Sequence, residues 1–202
     1  ITPPEDILTS LRDTILPHLD NMRWFVDYSN SDSMSHNTFG GNGDGPYGIQ
    51  PLSVFWEQRT FPFNSEVGSV GLSDYESLKR FIPANNLIPP VFDEATGKTT
   101  TDSVWDYHKY IGYDTSINKY GKAKNAEDFA FKAQLVNFDQ YRGLAEGFSS
   151  HMWDWYTGFI IWKTQNPWTA MRGQMYDYYL DPNACLYGLH NGSEPLHIMY
   201  NP

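Results

Sequence analysis

The spacing of apolar positions changes several times along the chain, and each change marks an element. Ile7, Leu8, Leu11, Ile15, Leu16 and Leu19 share one face of a helix, opened by Pro3-Pro4 and the acidic pair Glu5-Asp6 and closed by Asp20-Asn21. Arg23 to Tyr28 reads as a short buried strand. Ser29 to Gly48 is polar and rich in glycine, too long for a plain connection and so expected to be functional or mobile. Val54-Phe55-Trp56 fits a strand or a short helix equally well. Phe61 and Phe63 alternate as on one face of a strand, and the polar Asn64, Ser65 and Glu66 mark its end. Leu72 to Ile82 predicts a short helix closed by Pro83. Residues 84–103 read as a second long loop, and Val104 to Asn118 as an aromatic, irregular stretch. Asn125 predicts the N-cap of a long helix, with Phe129, Phe131, Ala133, Leu135, Val136, Phe138, Tyr141 and Leu144 buried, reaching about Met152. Gly158 to Trp162 is uniformly apolar, as in a parallel strand buried on both faces. Met175 to Leu180 predicts a short helix. Cys185–Gly188 and Leu196–Tyr200 read as two strands joined by a turn.

Strands alternating with helices point to a parallel α/β sheet. There is no glycine-rich phosphate fingerprint, which disfavours a nucleotide fold. The order fits the C-terminal half of a (β/α)8 TIM barrel over residues 1–182, with about four of the eight strands. Residues 183–202 are expected to start a separate β-sandwich domain.

Composition narrows the ligand. The 202 residues carry a formal charge of −10 with only 14 Lys plus Arg, which argues against nucleic acid and anionic membrane as partners. No apolar run approaches about 18 residues, so no spanning helix is expected, and no signal peptide is recognised at the start. Seven Trp, 14 Tyr and 12 Phe can build a large aromatic core, the safer reading for any single Trp, and flat aromatic rings also stack well on the apolar faces of sugars. Cys185 is alone, so no disulfide within the chain is expected and the redox compartment stays open. No metal cluster is expected from the six histidines, and no cofactor. Asn191-Gly192-Ser193 matches a glycosylation sequon, which leaves a secretory or vacuolar compartment possible.

The chemistry centres on Phe61 to Gly71. A carboxylate at the mouth of a strand is where a barrel enzyme places a catalytic acid. The same Glu66 could instead cap the helix after the strand. Gly68 and Gly71 would allow close approach of the backbone to a ligand. In the long loop, His36 and Tyr47 could reach sugar hydroxyls or be plain loop surface.

Phe63-Asn64-Ser65-Glu66-Val67-Gly68 resembles the nucleophile segment of glycoside hydrolase family 2. Phe159 to Trp168 resembles that family's last barrel strand and its loop, where the usual pattern is close to Trp-Gln-Leu-Asn-Asp-x-Trp. Trp162 and Trp168 match it; Lys163, Gln165 and Asn166 depart from it. Pro3-Pro4-Glu5-Asp6-Ile7 is similar to the segment that follows the family's acid/base motif. Within the family the likeness is to plant endo-β-mannosidases, with exo-β-glucosaminidases and β-mannosidases further off. The resemblance implies a retaining hydrolase of β-mannosides, acting on the Man-β-1,4-GlcNAc linkage of N-glycans; the alternatives are an exo-β-glucosaminidase or exo-β-mannosidase of the same family, or a sugar-binding module without catalysis. It implies Glu66 as nucleophile and Trp162 as the floor of the sugar subsite, with Asn64, Tyr47, His36, Trp105 and Trp168 as further sugar-binding candidates. No carboxylate here sits in the acid/base context, so that residue is expected upstream of Ile1. The partners implied are an oligosaccharide or N-glycan and the N-terminal part of the same enzyme, as continuous chain or as a separate one.

Overall fold

The computed structural model of the chain describes residues 4–23, 25, 42–113 and 115–200. The expected strand at 23–28 and the candidate His36 fall largely or wholly outside these residues.

The described chain begins with a helical run made of α1 (Glu5–Thr9), a π-helical segment (Ser10–Ile15) and α2 (Leu16–Leu19). β1 (Asn42–Asp44), β2 (Phe63–Val67) and β5 (Gly158–Ile161) form a parallel sheet in the order β1-β2-β5. Between β1 and β2 lies α3 (Val54–Glu57). The connection from β2 to β5 carries α4 (Tyr75–Phe81), the hairpin β3 (Val91–Asp93) and β4 (Lys98–Thr100), α5 (Ser103–Tyr107) and α6 (Ala126–Ser150). The last element is α7 (Ala184–Gly192), packed along α6. Among the described residues no helix is long and apolar enough to cross a membrane.

α6 holds the layers together. Asn125 caps it as the sequence predicts, its side chain accepting from the Asp128 amide at 2.9 Å. One side of α6 packs Leu144 and Phe148 against Phe55, Trp56, Val67 and Tyr156, which joins the helix layer to β2. Further along, Phe129, Ala130, Ala133 and Val136 close a second core with Leu72, Leu78, Trp105, Tyr113 and Met171. Phe131 is 63% exposed, contrary to expectation, because it falls about 200° around the helix from Phe129.

Several expected elements differ. Asn42-Gly43-Asp44 is a strand inside the presumed loop: its glycine gives no strand signal, but pairing with β2 supplies the backbone partners. Val54–Glu57 resolves as helix. The loop at 84–103 contains the β3–β4 hairpin. Its turn is fixed by Asp93, which accepts from the Ala95 amide and the Thr96 hydroxyl, both at 2.9 Å, and by Gly97 at φ 66. Met175–Leu180 is not helical, since the Asp177 carboxylate binds the Tyr179 and Asp181 amides at 2.8 and 3.1 Å and holds a turn instead. Cys185–Gly188 is not a strand but part of α7, capped by the Asn183 side chain on the Cys185 amide, and Leu196–Tyr200 forms no strand. β5 is not buried on both faces: Ile160 is 56% exposed, because only the side carrying Phe159 and Ile161 meets the helices.

Candidate active site

Side-chain alternation on the sheet places the site. Val67 and Ile161 pair in register and both pack into the helix-side core. Glu66 precedes Val67 and Trp162 follows Ile161, so strand periodicity turns both toward the face away from the helices. Both lie at the C-terminal ends of their strands, where parallel sheets gather ligand-binding groups. The Trp162 amide donates to the Val67 carbonyl at 2.8 Å, which holds the two strand ends together.

β1 ends at the same edge. Asp44 pairs with Glu66, and the Gly45 amide donates to the Glu66 carbonyl at 2.7 Å. The chain beyond it brings the Tyr47 hydroxyl onto Glu66 Oε1, to which it donates. Glu66 is half-buried, Tyr47 is 43% exposed and Trp162 is 48% exposed. The arrangement therefore offers one carboxylate held by a phenol, with an accessible indole on the neighbouring strand end. A held carboxylate can attack an electrophilic carbon, and an open indole face can stack on an apolar sugar face. Among the described residues nothing covers the Trp162 ring fully, which leaves it 48% exposed. Lys163 follows it, its ammonium 5.2 Å from the Trp162 ring centroid; burial, and then the like charge of Arg172, hold its pKa below the usual lysine value.

Other candidates fall elsewhere. Asn64 is fully buried; its amide donates to the Gly45 carbonyl and its oxygen accepts from the Glu66 amide at 3.3 Å. Its bonds tie the backbone of Glu66 to that of Gly45, and its side chain is closed off from solvent. Trp105 is 1% exposed, edge-on to Tyr110 and Phe129, with its indole N–H donating to the Asn86 carbonyl at 2.8 Å. It is a core residue, and the expected sugar contact is corrected. Trp168 packs against Tyr107 and His108 in a separate aromatic group. Gly68 and Gly71 meet protein rather than ligand: a Cβ on Gly68 would lie 2.0 Å from the Trp162 carbonyl, and one on Gly71 2.5 Å from the Gln174 amide. They let the chain leaving β2 run against the loop after β5.

No protein-family model matches the chain. A mannosylglycoprotein endo-β-mannosidase of Lilium longiflorum is 39% identical over 98% of this chain and 22% of its own length. An exo-β-D-glucosaminidase of Amycolatopsis orientalis is 31% identical over 78% of this chain and 16% of its own length. The resemblance to glycoside hydrolase family 2 is thus carried by relatives that are themselves named as glycosidases. It spans roughly a fifth of the length of these relatives. Among solved structures, an A. orientalis exo-chitosanase in complex with PNP-β-D-glucosamine superposes with a TM-score of 0.61 at 28% identity, covering 78% of this chain and 20% of that one. A β-D-mannosidase from Dictyoglomus thermophilum superposes with a TM-score of 0.67 over 94% of this chain and 23% of that one; at 15% identity it speaks to the fold alone.

Proposed function

We propose that this chain is the nucleophile-bearing portion of a retaining β-glycosidase that cleaves β-mannosidic bonds, with the Man-β-1,4-GlcNAc linkage of N-glycans as substrate. The observation that carries the reading is the placement of Glu66. It is half-buried at the C-terminal end of the central strand, hydrogen-bonded by Tyr47, and one strand away from the exposed ring of Trp162. The parallel sheet has helices packed on one face, and among the described residues Ile160 and Trp162 are exposed on the other; this supports the C-terminal half of a (β/α)8 barrel, with that other face as its interior. α7 packs on α6 as part of the outer helical layer, so any β-sandwich would have to begin after it.

Glu66 would attack the anomeric carbon to form a glycosyl-enzyme, which water then hydrolyses. Tyr47 holds the attacking carboxylate in position, and Trp162 stacks on the sugar. A retaining enzyme needs a second carboxyl roughly 5–5.5 Å from the first. That acid/base group is supplied by a part of the protein outside these 202 residues. The relative named as an endo-β-mannosidase, which matches nearly the whole chain, favours action within the glycan over removal of a terminal sugar.

The test is Glu66→Gln in the intact protein that carries this chain, assayed on a defined N-glycan core with substituted and unsubstituted β-mannose. Turnover should fall by several orders of magnitude, about 10⁴-fold or more, with folding retained. Near-normal turnover by the Gln variant would remove Glu66 as nucleophile. Cleavage of unsubstituted mannose alone would make the enzyme exo-acting.

A further inference from the structure

The hydrogen bonds around Tyr47 lead away from the sheet mouth to a buried side chain on the outer helix. Gln140 lies mid-way along α6, 3% exposed. Its Nε2 donates to the Gln50 carbonyl and its Oε1 accepts from the Gln50 amide, both at 2.8 Å. The same Oε1 accepts from the Ser69 hydroxyl at 3.2 Å, and that hydroxyl lies 2.7 Å from the Gly48 carbonyl, a second acceptor for its single proton. Gln50 Nε2 in turn donates to the Tyr47 carbonyl at 2.7 Å. One glutamine amide thus binds both backbone groups of residue 50, as a strand neighbour would. It fixes the backbone of residues 47–50 against both α6 and the turn after β2.

We propose that Gln140 is a positioning residue, acting through Gln50 and Ser69 to set the Tyr47 hydroxyl on Glu66. The inference rests on the reading of Glu66 as nucleophile and adds a control point one layer away from the chemistry. The segment from Gly45 to Gln50 has no helix or strand of its own; the Gly45 bonds to Glu66 and Asn64 hold one end of it and these amide contacts hold the other, with the exposed tyrosine between them. Removing the amide contacts frees the tyrosine to drift, and a displacement of about 1 Å at a reacting group can cost about 100-fold in rate.

The experiment compares Gln140→Met, which keeps length and loses the amide, with Gln50→Leu, which removes only the link to the Tyr47 carbonyl. Each is made in the intact protein, alone and combined with Tyr47→Phe. Expected for Gln140→Met is a fall in kcat of about 10- to 100-fold with KM changed less than about threefold. With Tyr47→Phe already in place, the same change should cost less than about threefold, because no hydroxyl is left to position. Should Gln140→Met fail to fold, Gln50→Leu carries the same expectation with a smaller loss. An unchanged kcat, or an equal fold-loss with and without the Tyr47 hydroxyl, would overturn the proposal. If Glu66→Gln remains active, the nucleophile reading fails first. If it is inactive while Gln140→Met and Gln50→Leu behave as wild type, only the role of Gln140 fails.

Discussion

Trp162 and Trp105 show how far a residue type carries meaning without its surroundings. Both are tryptophans in aromatic stretches, yet one is 48% exposed at a strand end and the other 1% exposed with its N–H bonded inside the core. Trp162→Ala should therefore leave thermal stability nearly unchanged and weaken catalysis through lost sugar stacking, by about 1–3 kcal/mol in kcat/KM. Trp105→Ala should do the reverse, costing about 3–5 kcal/mol of stability with the kinetics of the folded fraction retained. Melting curves and steady-state kinetics on both variants separate the two. The place of Glu66 at a strand end was legible from the alternation before it, whereas Trp162 was singled out only through the family resemblance. The burial of Trp105 was not legible, since it depends on α5 meeting α6 and the chain at Asn86, which lie far from one another in sequence. Nor was Gln140, which reads in a single sequence as any polar residue on a helix.

At the scale of elements, the strong patterns survive and the weak ones give way to tertiary context. α6 was legible from its cap and its apolar face, and β2 from its alternation. β1 has no apolar side chain to announce it and exists through its pairing with β2. α7 was misread as a strand because Cys185, Leu186 and Tyr187 suit either state; the deciding signal was Asn183, whose side chain caps the helix while also meeting Asn137 and the Leu72 carbonyl, each at 2.8 Å. The start of α6 gives a pH prediction. The hydrogen bond from Lys132, and then that from the Lys124 amide, lower the pKa of Asp128 below the usual carboxylate value. A lowered carboxylate pKa stabilises the fold above the unfolded value of about 3.9 and stops doing so as pH falls through the folded one. Asp128→Asn should therefore melt below wild type near pH 7, and the difference should close in acid as pH falls through the lowered folded-state pKa. A difference that persists unchanged in acid would assign the effect to packing rather than charge.

For the whole molecule, the sheet has two open edges among the described residues. Among the described residues β1 and β5 each pair with β2 alone, leaving their outer edges without strand partners. Ile160 is 56% exposed on the face away from the helices, and Leu196, Ile198 and Tyr200 are 92%, 96% and 84% exposed near the end of the described chain. Open edges and exposed apolar groups of this kind are normally covered by further structure. Residues 1–202 produced alone should accordingly be loosely packed or self-associating, with weak near-ultraviolet circular dichroism and no turnover. A compact monomer with a sharp thermal transition would contradict the half-barrel reading.

The measurement that bears most directly on the chemistry is covalent trapping of the intact protein with a fluorinated β-mannoside that forms a glycosyl-enzyme and is slow to leave, followed by peptide mass mapping. A retaining mechanism through Glu66 predicts one sugar adduct, on the peptide containing Glu66 and on that side chain, and its loss in Glu66→Gln. An adduct on a different carboxylate would contradict the assignment of Glu66, and inversion of configuration at the anomeric carbon of the released sugar, with no adduct formed, would contradict the retaining mechanism itself.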